Sequence, residues 1–132
     1  MIDAGDLMVG NLVQHKQEYY NQFHGIGKVT TIYEDKFVVN NHYPGSWFEP
    51  IPITEDWLVN KFKAKEQDEM DFIIPHGKLI FEVEYNLHFK TLLISKDSRI
   101  WLFDDVLFIH EIQNIVYLLT KEKLTIIENS LK

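Results

Sequence analysis

Residues 78–85, Lys-Leu-Ile-Phe-Glu-Val-Glu-Tyr, place the tightest constraint on what this chain folds into. Leu79, Phe81, Val83 and Tyr85 fall at every second position, and Glu82 and Glu84 lie between them. Side chains alternate across a strand, so this run lays an apolar row on one face and an acidic row on the other. Asn86-Leu87-His88 then turns the chain into a second run, Phe89–Ser95. Lys96-Asp97-Ser98 turns it again into Ile100–Phe103. Sequential antiparallel strands over about residues 72–103 form a meander, whose apolar row needs a cover.

The cover is expected from the C-terminal side. Ile109, Ile112, Val116 and Leu119 are spaced three or four apart, and Ile115 and Leu118 widen the stripe, predicting a helix over about 108–121. His110, Gln113, Asn114 and Tyr117 take another side of it. Asp104-Asp105 is expected to end the last strand and cap this helix. Leu124, Ile126 and Ile127 suggest a final short strand, with a frayed tail beyond.

Before the meander, Glu49-Pro50-Ile51-Pro52 reads as a stiff extended connector. Thr54 is a natural N-cap, with Glu55 and Asp56 in the first turn and Trp57, Leu58 and Phe62 on one face, predicting a helix over 54–63. The acidic stretch Lys65–Asp71 reads as an exposed loop.

Residues 7–53 are short β-prone runs broken by turn signals at Glu34-Asp35, Asn40-Asn41 and Pro44-Gly45. Four or five strands in that length suggest a small SH3-like barrel. Gly25 and Gly27 allow a bulge or a tight backbone crossing. The expected fold is therefore α+β and β-rich. An SH3-like subdomain (1–53) precedes an α+β subdomain (54–132) of helix, antiparallel meander and C-terminal helix.

Charge narrows the function. The chain of 132 residues carries a net charge of −7, and Arg99 is its single arginine. Nucleic-acid affinity rests on cations that neutralise phosphates, so that class is disfavoured. With no cysteine, disulfides, thiolate metal sites and cysteine nucleophiles are excluded. Met1–Val13 does not read as a signal peptide and no apolar run reaches membrane-spanning length, so a cytoplasmic protein is expected.

The motifs that invite chemistry break down on inspection. His24–Thr31 resembles a phosphate loop, but Gln22 stands where its first glycine belongs and Val29 follows Lys28. Thr30 replaces the third glycine of a dinucleotide fingerprint. His110-Glu111 opens like a zinc-protease helix, yet Asn114 occupies the second histidine position, so no metal or other cofactor is indicated. Glu82 and Glu84 read as the solvated face of a sheet, and no serine lies in a nucleophile elbow. No catalytic residue is assigned.

Aromatic side chains are the more suggestive class. Tyr19, Tyr20, Tyr43 and Trp47 fall in predicted loops of the barrel and are its binding candidates. Lys28, Lys36 and Arg99 are candidates for a phosphate beside them. His110, Gln113 and Asn114 are read as structural polar groups that lock helix to sheet.

Three segments together carry a resemblance. Asp6–Val13 (DLMVGNLV), Glu49–Leu58 (EPIPITEDWL) and Phe108–Ile126, with its His110, Gln113, Asn114, Leu119, Thr120 and Leu124, are similar to small proteins of Bacteroidetes, their phages and mobile elements. This chain departs at Lys121, where those proteins usually have the glycine of a left-handed helix cap. The resemblance implies a phage or mobile-element setting and transfers no catalytic residue. The leading expectation is a non-enzymatic accessory protein that binds, and inhibits, a host protein such as a defence factor. The alternative is capture of a nucleotide or signalling molecule at an oligomer interface, with single-stranded nucleic-acid binding behind both.

Overall fold

The computed structural model describes residues 4–76 and 81–124. Among these, strands predominate and one α-helix lies near the C-terminal end, a β-rich α+β arrangement. The described chain divides into two compact units. One runs to Pro52 and includes Phe108–His110; the other comprises Ile53–Leu107 and the residues from Glu111 onward.

The first unit contains β1 (Leu12–His15), β2 (Ile26–Ile32), β3 (Phe37–Val39), β4 (Tyr43–Pro44) and β5 (Phe48–Glu49). They pair antiparallel in the order β4-β3-β2-β1-β5. The strand is shorter than the apolar run Leu7–His15 suggests, because Gly10 takes φ +100° and turns the chain. Buried Asn11 holds that turn: its Oδ1 accepts the Met8 N–H at 2.8 Å, and its own N–H reaches Met8 O at 3.0 Å. A short amide side chain substitutes for backbone in this way at many turns. Gly25, at φ +112°, leads into β2. Gly27 lies beneath Val39 and Phe48, where a Cβ would collide with Val39 Cγ1. The tight crossing is thus at Gly27, while the register shift falls further along, between Val29 and Thr31. Asn40 and Asn41 both adopt positive φ within the three-residue connection from β3 to β4, where the His42 N–H closes on Val39 O at 3.1 Å. Leu7, Val13, Val29, Phe37, Val39 and Phe48 form the core.

Near the start of the second unit, Thr54 Oγ1 accepts the Trp57 N–H at 3.3 Å. The helix expected over 54–63 is shorter and wider than a regular one. Trp57–Lys61 has π geometry, with the Phe62 N–H reaching back five residues to Trp57 O at 3.0 Å. Lys63 at φ +58° ends it, and the Ala64 N–H closes on Leu58 O at 2.7 Å. Trp57, Leu58 and Phe62 are all buried by this wide turn.

Five strands follow: β6 (Lys65–Asp68), β7 (Asp71–Ile74), β8 (Phe81–Asn86), β9 (Thr91–Lys96) and β10 (Arg99–Phe103), each antiparallel to the next. The expected loop over Lys65–Asp71 is instead a hairpin. β6 is a strand through its backbone alone, since all four of its side chains are exposed and no apolar alternation marks it. Phe72, Tyr85 and Leu92 stand in one cross-strand row, and Ile74, Val83 and Ile94 in the next. All six are buried, each contributing about 1.5–3 kcal/mol of burial. Leu79 of the alternating run, and Ile126 and Ile127 of the suggested last strand, lie outside the described residues.

Asp104-Asp105 ends β10 but does not cap the helix. Asp105 turns away at φ +56°, and α1 (Ile109–Thr120) begins four residues later. Glu111 serves its N-terminus instead, its Oε1 accepting the Leu107 N–H at 2.9 Å. Ile109, Ile112 and Val116 are buried. Leu118 is exposed, so the apolar stripe is narrower than the spacing suggests. Lys121 occupies the left-handed cap at φ +62°, its N–H on Tyr117 O at 2.8 Å. The side chain of Tyr85 donates to Val106 O at 2.6 Å, anchoring the loop between β10 and α1.

Candidate binding surface

The loop between β1 and β2 arranges the aromatic candidates. Its backbone is tied to itself, with Tyr19 N–H on Lys16 O and Phe23 N–H on Tyr19 O, each at 3.0 Å. The second of these bonds closes a single helical turn. Positions four apart in such a turn face the same way, which seats Tyr20 on His24 and turns Tyr19 and Phe23 toward Trp47 and Tyr43. The Lys16 N–H, bonded to Trp47 O at 2.8 Å, fixes the loop against the 3₁₀ turn Gly45–Trp47.

Two aromatic groups result. In the first, Tyr19 stacks on Trp47, ring centroids 5.4 Å apart and planes 17° apart. Trp47 meets Tyr43 at 5.9 Å, and Tyr43 meets Phe23 at 4.8 Å. Phe23 in turn contacts buried Phe48 at 5.2 Å. This chain of rings runs outward from the core of the first unit, and Tyr19, Tyr43 and Trp47 are each half-buried. Their inner sides are held while part of each ring meets water. In the second group Tyr20, half exposed, stacks on His24 at 4.8 Å and meets His15 edge-on at 5.6 Å. His15 Nδ1 accepts the Gly25 N–H at 2.8 Å, which leaves its proton on Nε2.

Three of the four aromatic candidates therefore come together, and Tyr20 belongs to a separate group. The sequence does not single out Phe23, His15 or His24, nor His42, whose ring meets Tyr43 edge-on at 4.9 Å. The four-residue spacing of Tyr19-Tyr20 and Phe23-His24 is the signal that points to two of them. Among the basic candidates, Lys28 is exposed on β2, and Lys36 Nζ lies 5.4 Å from the Tyr33 ring centre. Arg99 belongs to the other unit. Buried His110 lies with its ring parallel to that of Phe108, 5.9 Å away, and Gln113 and Asn114 are half-buried on α1.

The second unit holds one arrangement that imitates a catalytic triad. His76 Nε2 lies 2.8 Å from Thr120 Oγ1 and 3.8 Å from a Glu122 carboxylate oxygen. Thr120, however, donates its hydroxyl proton to Val116 O at 2.7 Å. His76 must then donate from Nε2, the reverse of what a base needs to activate a hydroxyl. Burial lowers the His76 pKa, partly opposed by Glu122, which keeps the ring neutral in that donor role. The group fastens the end of α1 to the loop after β7. On the sheet, burial first and then Asp71, Glu82 and Asp68 raise the Glu84 pKa. Among the described residues no three histidine or carboxylate side chains converge as metal ligands, and no helix is long and apolar enough to cross a membrane.

No protein-family model matches the chain, and neither a curated protein nor a solved structure is significantly similar to it.

Proposed function

We propose that the protein is a non-enzymatic binding module whose first unit is an SH3-like barrel, and that it grips an extended segment of a partner protein on the Tyr19–Trp47–Tyr43 surface. Two features support the barrel reading: the strand order β4-β3-β2-β1-β5, and the single 3₁₀ turn that joins β4 to β5. The observation that carries the binding reading is the ring chain itself. Rigid aromatic rings anchored on a core and open on one side offer large contact area at little entropic cost. Extended and proline-containing segments dock on surfaces of this kind. The resemblance of three segments to phage and mobile-element proteins suggests the partner is a host protein, such as a defence factor, which the module occludes. Nucleotide capture draws less support, because Lys36 is engaged on Tyr33 and Arg99 belongs to the other unit.

The test compares the wild-type chain with Trp47→Ala and Tyr19→Ala in capture from a Bacteroidetes lysate, followed by titration of the captured polypeptide. Each variant is expected to weaken binding by about tenfold or more while keeping its circular-dichroism spectrum. A captured partner that binds the variants as tightly as the wild type sinks the assignment of the surface. A released small molecule in place of a polypeptide favours ligand capture.

A further inference from the structure

The two outer strands of the second sheet are built in opposite ways. An outer strand presents free N–H and C=O groups to any strand that reaches it, and monomeric proteins blunt such edges with charges and irregularities. β6 is blunted in both respects: it reads Lys-Glu-Gln-Asp, wholly exposed, and its register slips between Glu66 and Asp68. β10, at the opposite edge, reads Arg-Ile-Trp-Leu-Phe and follows β9 without a break from Arg99 to Phe103. Ile100 and Leu102 share one face of it and are 66% and 61% exposed. Among the described residues, no strand pairs with its outer side.

Its charges sit only at the ends. Arg99, the one arginine in the chain, stands at the start, and Asp104 and Asp105 follow the finish. That distribution is self-complementary in one orientation. With an antiparallel second copy centred on Trp101, Ile100 lies opposite Leu102 of the other copy, and Arg99 lies opposite Phe103 with the other copy's Asp104 and Asp105 just beyond. The exposed apolar pairs then cover one another, and each end sets the Arg99 of one copy near the acidic Asp104-Asp105 pair of the other. A parallel pairing would instead set Arg99 against Arg99 and acid against acid. Sliding the centre toward Phe103 would bring the four aspartates together. Such like-charge contacts are costly for a molecule carrying −7 overall.

We infer that the chain self-associates through β10, pairing antiparallel with β10 of a second copy about a two-fold axis at Trp101 and joining two five-stranded sheets into one. The interface is isologous and closes on itself, so it gives a dimer and not a filament.

Sedimentation velocity on the full chain, up to about 100 µM, tests this. The wild type is expected to dimerise. Leu102→Lys, which imitates natural edge blunting at an exposed position, is expected to raise the dissociation constant more than tenfold with an unchanged circular-dichroism spectrum. Arg99→Asp is expected to impair self-association, and mixing it with Asp104→Arg/Asp105→Arg to restore a heterodimer. A wild type that stays monomeric overturns the proposal, as it would if the edge serves a strand from another protein. A dimer indifferent to Leu102→Lys also overturns it, and failure of the charge-swapped mixture overturns the antiparallel register.

Discussion

Removing the hydroxyl of Tyr85 offers a sharp check on how the second unit is held together. Tyr85 has no exposed surface, and its hydroxyl donates to Val106 O at 2.6 Å. Tyr85→Phe keeps the ring and leaves that carbonyl without this donor, which costs about 1–3 kcal/mol at neutral pH. Burial, with a smaller contribution from the Glu111 carboxylate, raises the Tyr85 pKa from 10.0 to about 12. The folded state therefore holds this proton more tightly than the unfolded chain does. The corresponding stability is fully present below pH 10 and is lost as the pH rises toward 12. Two pKa units correspond to about 2.7 kcal/mol, similar to the cost of the substitution. Urea unfolding followed through Trp57 and Trp101, run in parallel at pH 7, 9, 10.5 and 11.5, measures both quantities. The difference between wild type and variant should be about 2 kcal/mol at pH 7, steady to pH 9, and should shrink beyond pH 10. A difference that stays constant to pH 11.5 would refute the reasoning, because the hydroxyl would then not be buried in its protonated form.

Three further outcomes are expected. His76 has its pKa lowered from 6.5, so the unfolded chain takes up a proton first on acidification, and wild-type stability should fall below about pH 6.5. His76→Gln removes that proton, and urea midpoints between pH 7.5 and 5 should show a flatter profile for the variant than for the wild type. Lys121→Gly relieves a left-handed residue at the end of α1 and should raise stability by about 0.5–1 kcal/mol in urea unfolding, after the added freedom of the unfolded glycine is counted. Gly45→Ala would place a Cβ 2.6 Å from the Phe37 carbonyl oxygen and 2.7 Å from its ring. It should destabilise the first unit by about 1–3 kcal/mol, read from Trp47 fluorescence on heating.

What the sequence reveals follows from where its signals arise. Apolar periodicity reports burial, so β8, β9, the buried stripe of α1 and the inward face of Trp57, Leu58 and Phe62 are all legible. Turn chemistry reports backbone conformation, and Asn40-Asn41 and Gly25, which leads into β2, are legible for that reason. β6 is not, because its pairing is made by backbone while every side chain faces water. The start of α1 is also missed. Two aspartates look like a cap, but the left-handed turn at Asp105 removes them from the helix and leaves the work to Glu111. At the aromatic surface, ring content singles out Tyr19, Tyr43 and Trp47. The partition of Tyr20 into another group depends on a one-turn loop that composition does not encode.

The segments Asp6–Val13, Glu49–Leu58 and Phe108–Ile126 can be read residue by residue against the structure. In Asp6–Val13, Gly10 supplies a positive φ and Asn11 ties down the turn. In Glu49–Leu58, Thr54 caps the wide turn. In Phe108–Ile126, Glu111 holds the start of α1, and Thr120 accepts from His76 while bonding Val116 O. These roles hold a turn, a cap, a helix start and the link from Thr120 to His76. The rings that form the candidate surface, Tyr19, Phe23, Tyr43 and Trp47, lie outside all three segments. A chain sharing only those segments would thus be held to the same fold without being held to the same partner. Partner choice would then reside in the β1–β2 loop and the 3₁₀ turn, where side chains change without disturbing the turns and caps that define the fold.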